Sequence, residues 1–324
     1  MKKNNILITG GFGILGRALT KTLLRDKNKY SSIFILDKLE NKKRSGSLKK
    51  NNRLKIIKGN LKNYNEIYNL IKKENINIIF HLGAITQVID AYKSPMETFK
   101  SNIFGTINIL ESIRNLKKEI ILIYSSSDKA YGTLNKKEYF ENHQLKGDYP
   151  YDVSKSSSDL IAQSYTKTYN LKIGIIRSGN IYGPGDYNRD RLIPHVIVST
   201  LRNKKAILRS NGKLIRDYIF VDDVARAYHL LMNKMLKSEQ RLRIYNVGSK
   251  ENLNVIDLVK LITNMINKKK LKPIIENTST NIEIKRQKLN FSKIKKDLGW
   301  HSKYNINKAI KITINWYKKN LSYF

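Results

Sequence analysis

The chain has 324 residues, 40% of them hydrophobic, and 62 Lys and Arg against 26 Asp and Glu, for a net charge of +36. The absence of cysteine excludes disulfides, thiolate metal sites and cysteine nucleophiles. No apolar run approaches the roughly 20 residues of a membrane helix, and MKKNN leads into ILITGG without a signal-peptide core or cleavage site, so a soluble, cytoplasmic protein is expected.

Strand and helix alternate through the first half. Ile6–Thr9 is a short apolar run, followed by a Gly-rich turn and a helix from about Leu15 to Arg25. Further strands are predicted at Ile33–Leu36, Lys55–Lys58, Ile76–Leu82, Ile120–Ser125 and Leu171–Arg177. Helices are predicted at Tyr64–Lys73, Met96–Leu116 and Tyr151–Tyr169. The strand runs are short, β-branched and continuous, so both faces of the sheet should be covered. That is the mark of an α/β fold with a doubly wound parallel sheet. Beyond about residue 179 the segments shorten: Gly179–Pro184, Ile193–Arg202, Ala206–Leu208, Arg216–Phe220, a helix near Asp222–Met235, and Ile244–Val247. A helix over Val255–Ile266, a basic linker and a last helix over Ile306–Lys319 close the chain. The expected division is a larger sheet domain over 1–178 and a smaller α/β lobe over 179–324, with some lobe segments returning to the sheet. Basic residues are spread over helix faces such as Lys72-Lys73, Lys117-Lys118 and Lys295-Lys296. A solvated basic surface with no nucleic-acid partner is expected, able to steer anionic metabolites.

TGGFGILG places Gly10, Gly13 and Gly16, with Phe12 and Ile14 between them, where the first strand turns into its helix. Glycines there permit a tight turn and close backbone approach, and the helix N-terminus can face a pyrophosphate. Asp37 lies 21 residues beyond Gly16, at the end of the second strand. A carboxylate there accepts the ribose hydroxyls of NAD and repels a 2′-phosphate; a plain loop aspartate is the simpler alternative. Gly59-Asn60-Leu61 and HLGAIT, with Leu82, Gly83 and Ala84, sit at the ends of the next two strands, the edge that holds ligands in such folds. His81 precedes its turn and reads as a core residue. Asn102 lies inside a helix, where satisfying local backbone competes evenly with a role toward the cofactor.

Residues 123–155 carry the chemistry. IYSSSDKAYG is followed by a polar loop and by YPYDVSK. Tyr151 and Lys155 are four residues apart and share one helix face. An ammonium beside a phenol favours the phenolate, so Tyr151 is expected to act as a base, with Ser127 bonding the same oxygen. Asp128-Lys129 is an additional acid–base pair that simple hydride transfer does not need. A surface ion pair is its plain alternative.

The chain resembles the extended short-chain dehydrogenase/reductase family, the nucleotide-sugar epimerases and dehydratases. The matching residues are GGFGILG, Asp37, HLGAIT, SSSDKAYG, YDVSK, RSGNIYGPGD, RDYIFVDDVARA and KKDLGW, which together span residues 9 to 300. Asn60, Gly83 and Asn290 depart from the aspartate, alanine and aspartate common at those places. The resemblance implies an NAD-binding Rossmann domain and a lobe that grips a nucleotide sugar. It implies that Gly10, Gly13, Gly16, Asp37, Tyr151 and Lys155 contact NAD, and that Ser127, Tyr151 and Lys155 form the hydride-transfer triad. Asp128-Lys129, GPGDYNRDRLIPHVI and EIKRQKLNFSKIKKDLGW look like the CDP-glucose 4,6-dehydratase branch.

In that reading the sugar is oxidised at carbon 4, loses water across carbons 5 and 6, and is reduced at carbon 6. Asp128 would be the acid and Lys129 the base or its electrostatic support. Arg216 can form a bidentate fork to a diphosphate. Asn180, Arg191 and Arg286 are substrate contacts by family position, with Arg191 equally readable as a surface residue. Asp222 and Asp223 read as a helix cap. A homodimer through the helices Met96–Leu116 and Tyr151–Tyr169 is expected by analogy, with no metal and no membrane partner. The alternatives are a nucleotide-sugar 4-epimerase or 4-ketoreductase, and, remotely, a basic nucleic-acid binder on an inactive scaffold.

Overall fold

Six of the expected strands form, and a seventh joins them from the second half of the chain. The computed structural model describes residues 4–26, 30–38, 48, 51–134, 136–251, 253–278, 284 and 286–324. Of the EIKRQKLNFSKIKKDLGW stretch, Glu283 and Lys285 lie outside them. The strands are β1 Asn4–Thr9, β2 Tyr30–Asp37, β3 Leu54–Lys58, β4 Ile78–His81, β5 Ile121–Ser127, β6 Lys172–Ser178 and β11 Leu242–Val247. They pair in parallel in the order β11-β6-β5-β4-β1-β2-β3. The order reverses beside β1, between β2 and β4, which opens a crevice at the C-terminal ends of the strands.

Alternate side chains of each strand serve opposite layers. Ile6 and Ile8 of β1 join Leu19 and Leu23 of α1 (Ile14–Arg25) and Tyr228 and Leu231 of α8 (Val221–Leu236). Leu7 points the other way, toward Ile67 and Ile71 of α2 (Tyr64–Lys73), Ile109 of α5 (Gly105–Leu116) and Ala162 of α6 (Pro150–Tyr169). The ends of α2 follow from local chemistry. Asn63 accepts a bond from the Glu66 amide at its start, and Lys72 and Lys73 face its negative end.

The helix expected over Met96–Leu116 forms with a defect. After short α3 (Val88–Lys93) and α4 (Pro95–Phe99), residues Lys100–Phe104 make a π-helical turn that runs on into α5. One extra residue in the turn shifts Asn102 around the helix, and such bulges occur often at functional sites.

The lobe has its own core. Val196 and Ile197 of α7 (Leu192–Leu201), Leu258 and Ile262 of α9 (Val255–Met265), and Ile310 and Tyr317 of α11 (Ile306–Lys319) pack together. The segment expected as Arg216–Phe220 divides into β9 (Ile215–Arg216) and β10 (Tyr218–Phe220), which pair with β12 (Leu253–Asn254) and β7 (Asn180–Tyr182) respectively. Asp217 lies at the break, fully buried. Its carboxylate accepts the Ser249 amide at 2.7 Å and the Leu289 amide at 3.1 Å, so it ties three lobe segments together. Near the chain's end, α10 (Ser292–Leu298) stops at Gly299, whose φ of 63° suits a glycine. Buried Trp300 then donates to the Asp223 carbonyl at 2.9 Å. Asp223 does not cap α8; its carboxylate instead accepts the Lys303 and Tyr304 amides. No helix among the described residues is long and apolar enough to cross a membrane.

Candidate active site

The Gly-rich turn meets the loop after β4 backbone to backbone. Gly10 has a φ of 67°, and a Cβ there would stand 2.7 Å from the Gly83 Cα. At Gly83 a Cβ would meet the Leu61 side chain at 2.7 Å. Glycine therefore stands at 83 because Leu61 fills the space an alanine methyl would need. Asp37 ends β2 and accepts the Phe12 amide through Oδ2 at 3.0 Å. Asn60 accepts the Lys62 amide at 3.2 Å, a local turn bond. Phe12 is buried, while Leu82 and Ala84 are partly buried beside the crevice.

Two buried residues hold the β4 loop in place. Thr106 donates its hydroxyl proton to the Asn102 carbonyl at 2.6 Å, so at 3.0 Å it can only accept from His81 Nε2. Nδ1 of His81 then accepts from Thr9, whose oxygen accepts the Gly83 amide at 3.1 Å. Burial first, and the Lys155 charge second, push His81 down to about 3, in keeping with this neutral imidazole. Asn102 accepts the Ile85 amide at 2.8 Å and donates to the Ile85 carbonyl at 3.0 Å and to Ser154 at 2.9 Å. Both amide protons are used. Asn102 thus positions the loop after β4.

β5 ends at Ser127, which leads into a 3-10 turn over Asp128–Tyr131. The Ser127 hydroxyl donates to Asp128 Oδ1 at 3.0 Å, accepts the Lys129 amide at 3.2 Å, and lies in hydrogen-bonding reach of the Tyr151 phenol. Asp128 is 2% exposed, and its Oδ2 has no hydrogen-bond partner among the described residues. Burial raises its carboxyl despite Lys129, Ser127 and Arg216 nearby, which favours a protonated acid.

Tyr151 and Lys155 both face β5 from α6, but the expected ammonium–phenol contact is absent here. Lys155 donates to the Ser125 carbonyl at 2.8 Å and lies over the Tyr124 ring. Burial lowers it to about 8. Burial also raises Tyr151 above the usual phenol range, although Ser127 and the Arg191 charge pull the other way. Burial thus favours the protonated phenol at Tyr151.

The four expected substrate contacts separate. Arg191 is no idle surface residue: it donates to Thr86 at 3.1 Å and pairs with Asp186 at 3.3 Å, joining the β4 loop to the lobe. Buried Arg216 donates to the carbonyls of Ile215 and Ile284, and its charge reaches Asp128. Asn180 on β7 has a buried amide nitrogen without a hydrogen-bond partner among the described residues. Arg286 is exposed, and its carbonyl accepts from Tyr139. Two residues escaped sequence reading. Arg17 on α1 donates to the Gly185 carbonyl and so locks the GPGD loop onto the Gly-rich turn. Asp152, beside Tyr151, is 3% exposed, and burial pushes its carboxyl up to about 7. No group of three metal-ligating side chains occurs among the described residues.

Residues 7–313 match the family described as GDP-mannose 4,6 dehydratase. The chain belongs to this family. A dTDP-D-glucose 4,6-dehydratase of Dictyostelium discoideum is 30% identical, the match covering 98% of this chain and 82% of that protein. The chain spans about half the length of the trifunctional UDP-glucose 4,6-dehydratases of Arabidopsis thaliana that it also matches. Among solved structures, the dTDP-glucose 4,6-dehydratase of Bacillus anthracis in complex with NAD has a TM-score of 0.88 at 27% identity, covering 99% of this chain and 98% of its own. The UDP-glucose 4-epimerase of Thermotoga maritima, solved with UDP-glucose, has a TM-score of 0.88 at 25% identity, covering 98% of this chain and 99% of its own.

Proposed function

We propose that the chain is an NAD-dependent nucleotide-sugar 4,6-dehydratase with CDP-glucose as its first candidate substrate. The observation that carries this reading is the buried Asp128 next to Ser127, with Lys129 beside it. The CDP choice rests on the Asp128-Lys129 pair, and the dTDP- and UDP-glucose relatives make those sugars the comparison substrates.

The residues fit a dinucleotide. Gly10 and Gly83 let the Gly-rich turn and the β4 loop meet backbone to backbone, Gly13 stands at the N-cap of α1 with no side chain capping its amides, and Asp37 has a second oxygen for a ribose hydroxyl. When bound there, NAD would supply the transient hydride acceptor for the oxidation at carbon 4 and the hydride donor for the reduction at carbon 6. Tyr151 takes the proton of the 4-hydroxyl, and Ser127 bonds the oxygen as it becomes a carbonyl. Lys155, held at the Ser125 carbonyl, lends positive charge to the site. The 4-ketone acidifies the hydrogen on carbon 5. That proton goes to Lys129 or to a group it supports, its electron pair forms the carbon–carbon double bond, and Asp128 protonates the departing 6-hydroxyl as water; the same base returns the proton to carbon 5 when carbon 6 takes the hydride. Asn180, whose amide nitrogen has no hydrogen-bond partner among the described residues, would donate to the diphosphate, with the Arg216 charge behind it.

Incubation with CDP-, UDP- and dTDP-glucose should give the alkali-induced absorbance of a 4-keto-6-deoxy sugar with at least one of them. A 4-epimer without water loss would establish the epimerase alternative, which the Thermotoga structure keeps in view. Lys129→Ala is expected to retain NAD binding and lose elimination by about two orders of magnitude or more. Unchanged elimination in that variant removes Lys129 from the chemistry.

A homodimer is part of the same proposal. Met96 and Phe104 on the α4–α5 helix, and Leu160 and Tyr169 on α6, are 64%, 57%, 51% and 48% exposed. A second copy would cover them. Light scattering should give twice the 37.6 kDa chain mass, and Leu160→Lys should shift it toward the monomer. A wild-type monomer at micromolar concentration rules the dimer out.

A further inference from the structure

Asp152 follows Tyr151 on the first turn of α6, and none of the steps above uses it. A first-turn carboxylate is ordinarily explained by the helix dipole. That explanation suits an exposed helix end, whereas Asp152 is 3% exposed, where desolvation costs more than the dipole returns. Gly147 packs over it so closely that a Cβ there would stand 2.4 Å from the Asp152 carbonyl carbon. The 3-10 turn bearing Asp128 and Lys129 packs against the same helix.

Every element around this spot brings charge. Lys129 and Asp128 face Asp152 from the 3-10 turn, Asp148 from the preceding loop and Arg216 from β9. Lys129 and Arg216 also face Asp128, together with the Ser127 hydroxyl. The Tyr151 phenol stands near both carboxyls, with Arg191 on its other side. Two buried carboxyls thus compete for Lys129, since Arg216, the other cation facing both, is already held by the Ile215 and Ile284 carbonyls. They cannot both ionise cheaply, because one ammonium compensates one carboxylate.

We propose that Asp152 is a positioning residue whose charge keeps Lys129 an ammonium, in its electrostatic-support role rather than as the base, and so leaves the proton on Asp128, the acid for water loss. The division follows from the surroundings. The unpartnered, buried Oδ2 of Asp128 is costly as a carboxylate oxygen and tolerable as a hydroxyl with a ligand oxygen to donate to. The inference rests on the dehydratase reading for its consequence, and on the charge cluster alone for its cause.

The test compares the pH profile of water elimination in the wild type, Asp152→Asn and Asp152→Glu. In Asp152→Asn the Lys129 charge falls on Asp128 alone, which pulls that carboxyl toward ionisation. The acid is then lost at lower pH. The alkaline limb should move down by about one unit or more, so that turnover at about pH 8 falls about tenfold further relative to that at about pH 6. Asp152→Glu should bring the limb back. A limb that stays in place in Asp152→Asn, or that moves equally in both variants, overturns the proposal. Carbon-13 NMR of aspartate-labelled protein gives a readout free of turnover. The carboxyl resonance missing in Asp128→Asn belongs to Asp128, and it should titrate at lower pH in Asp152→Asn. An unmoved titration overturns the proposal whatever the substrate. Absence of a 4-keto product in the wild type with all three sugars would sink the dehydratase reading, while the titration would still decide the role of Asp152.

Discussion

Replacing Tyr151 by phenylalanine is expected to lower turnover by about two to four orders of magnitude while leaving the fold in place. The ring is buried and stays; only the oxygen goes. Loss of the phenol oxygen beside Ser127 should change stability by no more than about 1 kcal/mol. What disappears is the atom that takes the proton of the 4-hydroxyl. Two pH limbs follow for the wild type. Burial holds Tyr151 protonated at neutral pH, so the first oxidation should accelerate as the medium becomes less acid. Lys155, lowered to about 8, is an ammonium below that pH and loses its charge as the pH rises through it. The oxidation should therefore slow again above about pH 8. Single-turnover absorbance of the reduced nicotinamide separates this limb from that of elimination, which follows Asp128. Near-wild-type oxidation in Tyr151→Phe would mean that another group is the base.

Why Lys155 points where it does shows how far sequence reaches. Four-residue spacing puts Tyr151 and Lys155 on one helix face, and the structure keeps them there. Spacing fixes a Cβ direction, however, not the end of a four-carbon side chain. Here the ammonium bends to the Ser125 carbonyl. The sheet itself was legible because continuous β-branched runs announce strands covered on both faces, and α2 because Asn63 and its terminal lysines mark both ends. The π turn at Lys100–Phe104 was not legible. Its stability comes from Asn102 reaching Ile85 and Ser154, partners 17 and 52 residues away. Asp152 was passed over for the same reason. Beside Tyr151 it reads as a helix-start acid, and only the packing of the 3-10 turn against α6 brings Asp128 and Lys129 to it. Arg216 has a side chain suited to a diphosphate by its type alone; only the fold shows that its guanidinium also holds two backbone carbonyls.

Asp159→Asn is expected to cost about 3–5 kcal/mol, a large share of the roughly 5–15 kcal/mol that holds a typical domain together. Its carboxylate meets Arg177 through two bonds of 2.9 and 3.0 Å, with side-chain exposures of 0% and 2%. The asparagine leaves a guanidinium buried without its counter-charge. Urea unfolding should show the loss as a lower midpoint at unchanged slope. The damage should also reach the chemistry. Arg177 donates to the Tyr131 hydroxyl at 3.0 Å and so steadies the turn that carries Asp128 and Lys129. The Asp159 charge also works against the burial that lowers Lys155. These effects can be pulled apart, because replacing both members of a buried ion pair by apolar residues often restores stability. Asp159→Leu with Arg177→Met should therefore recover most of the lost midpoint. It cannot restore the negative charge near Lys155, so the alkaline limb of the oxidation should remain shifted to lower pH. A double variant that regains both stability and the wild-type limb would show that the pair acts on the site through packing alone.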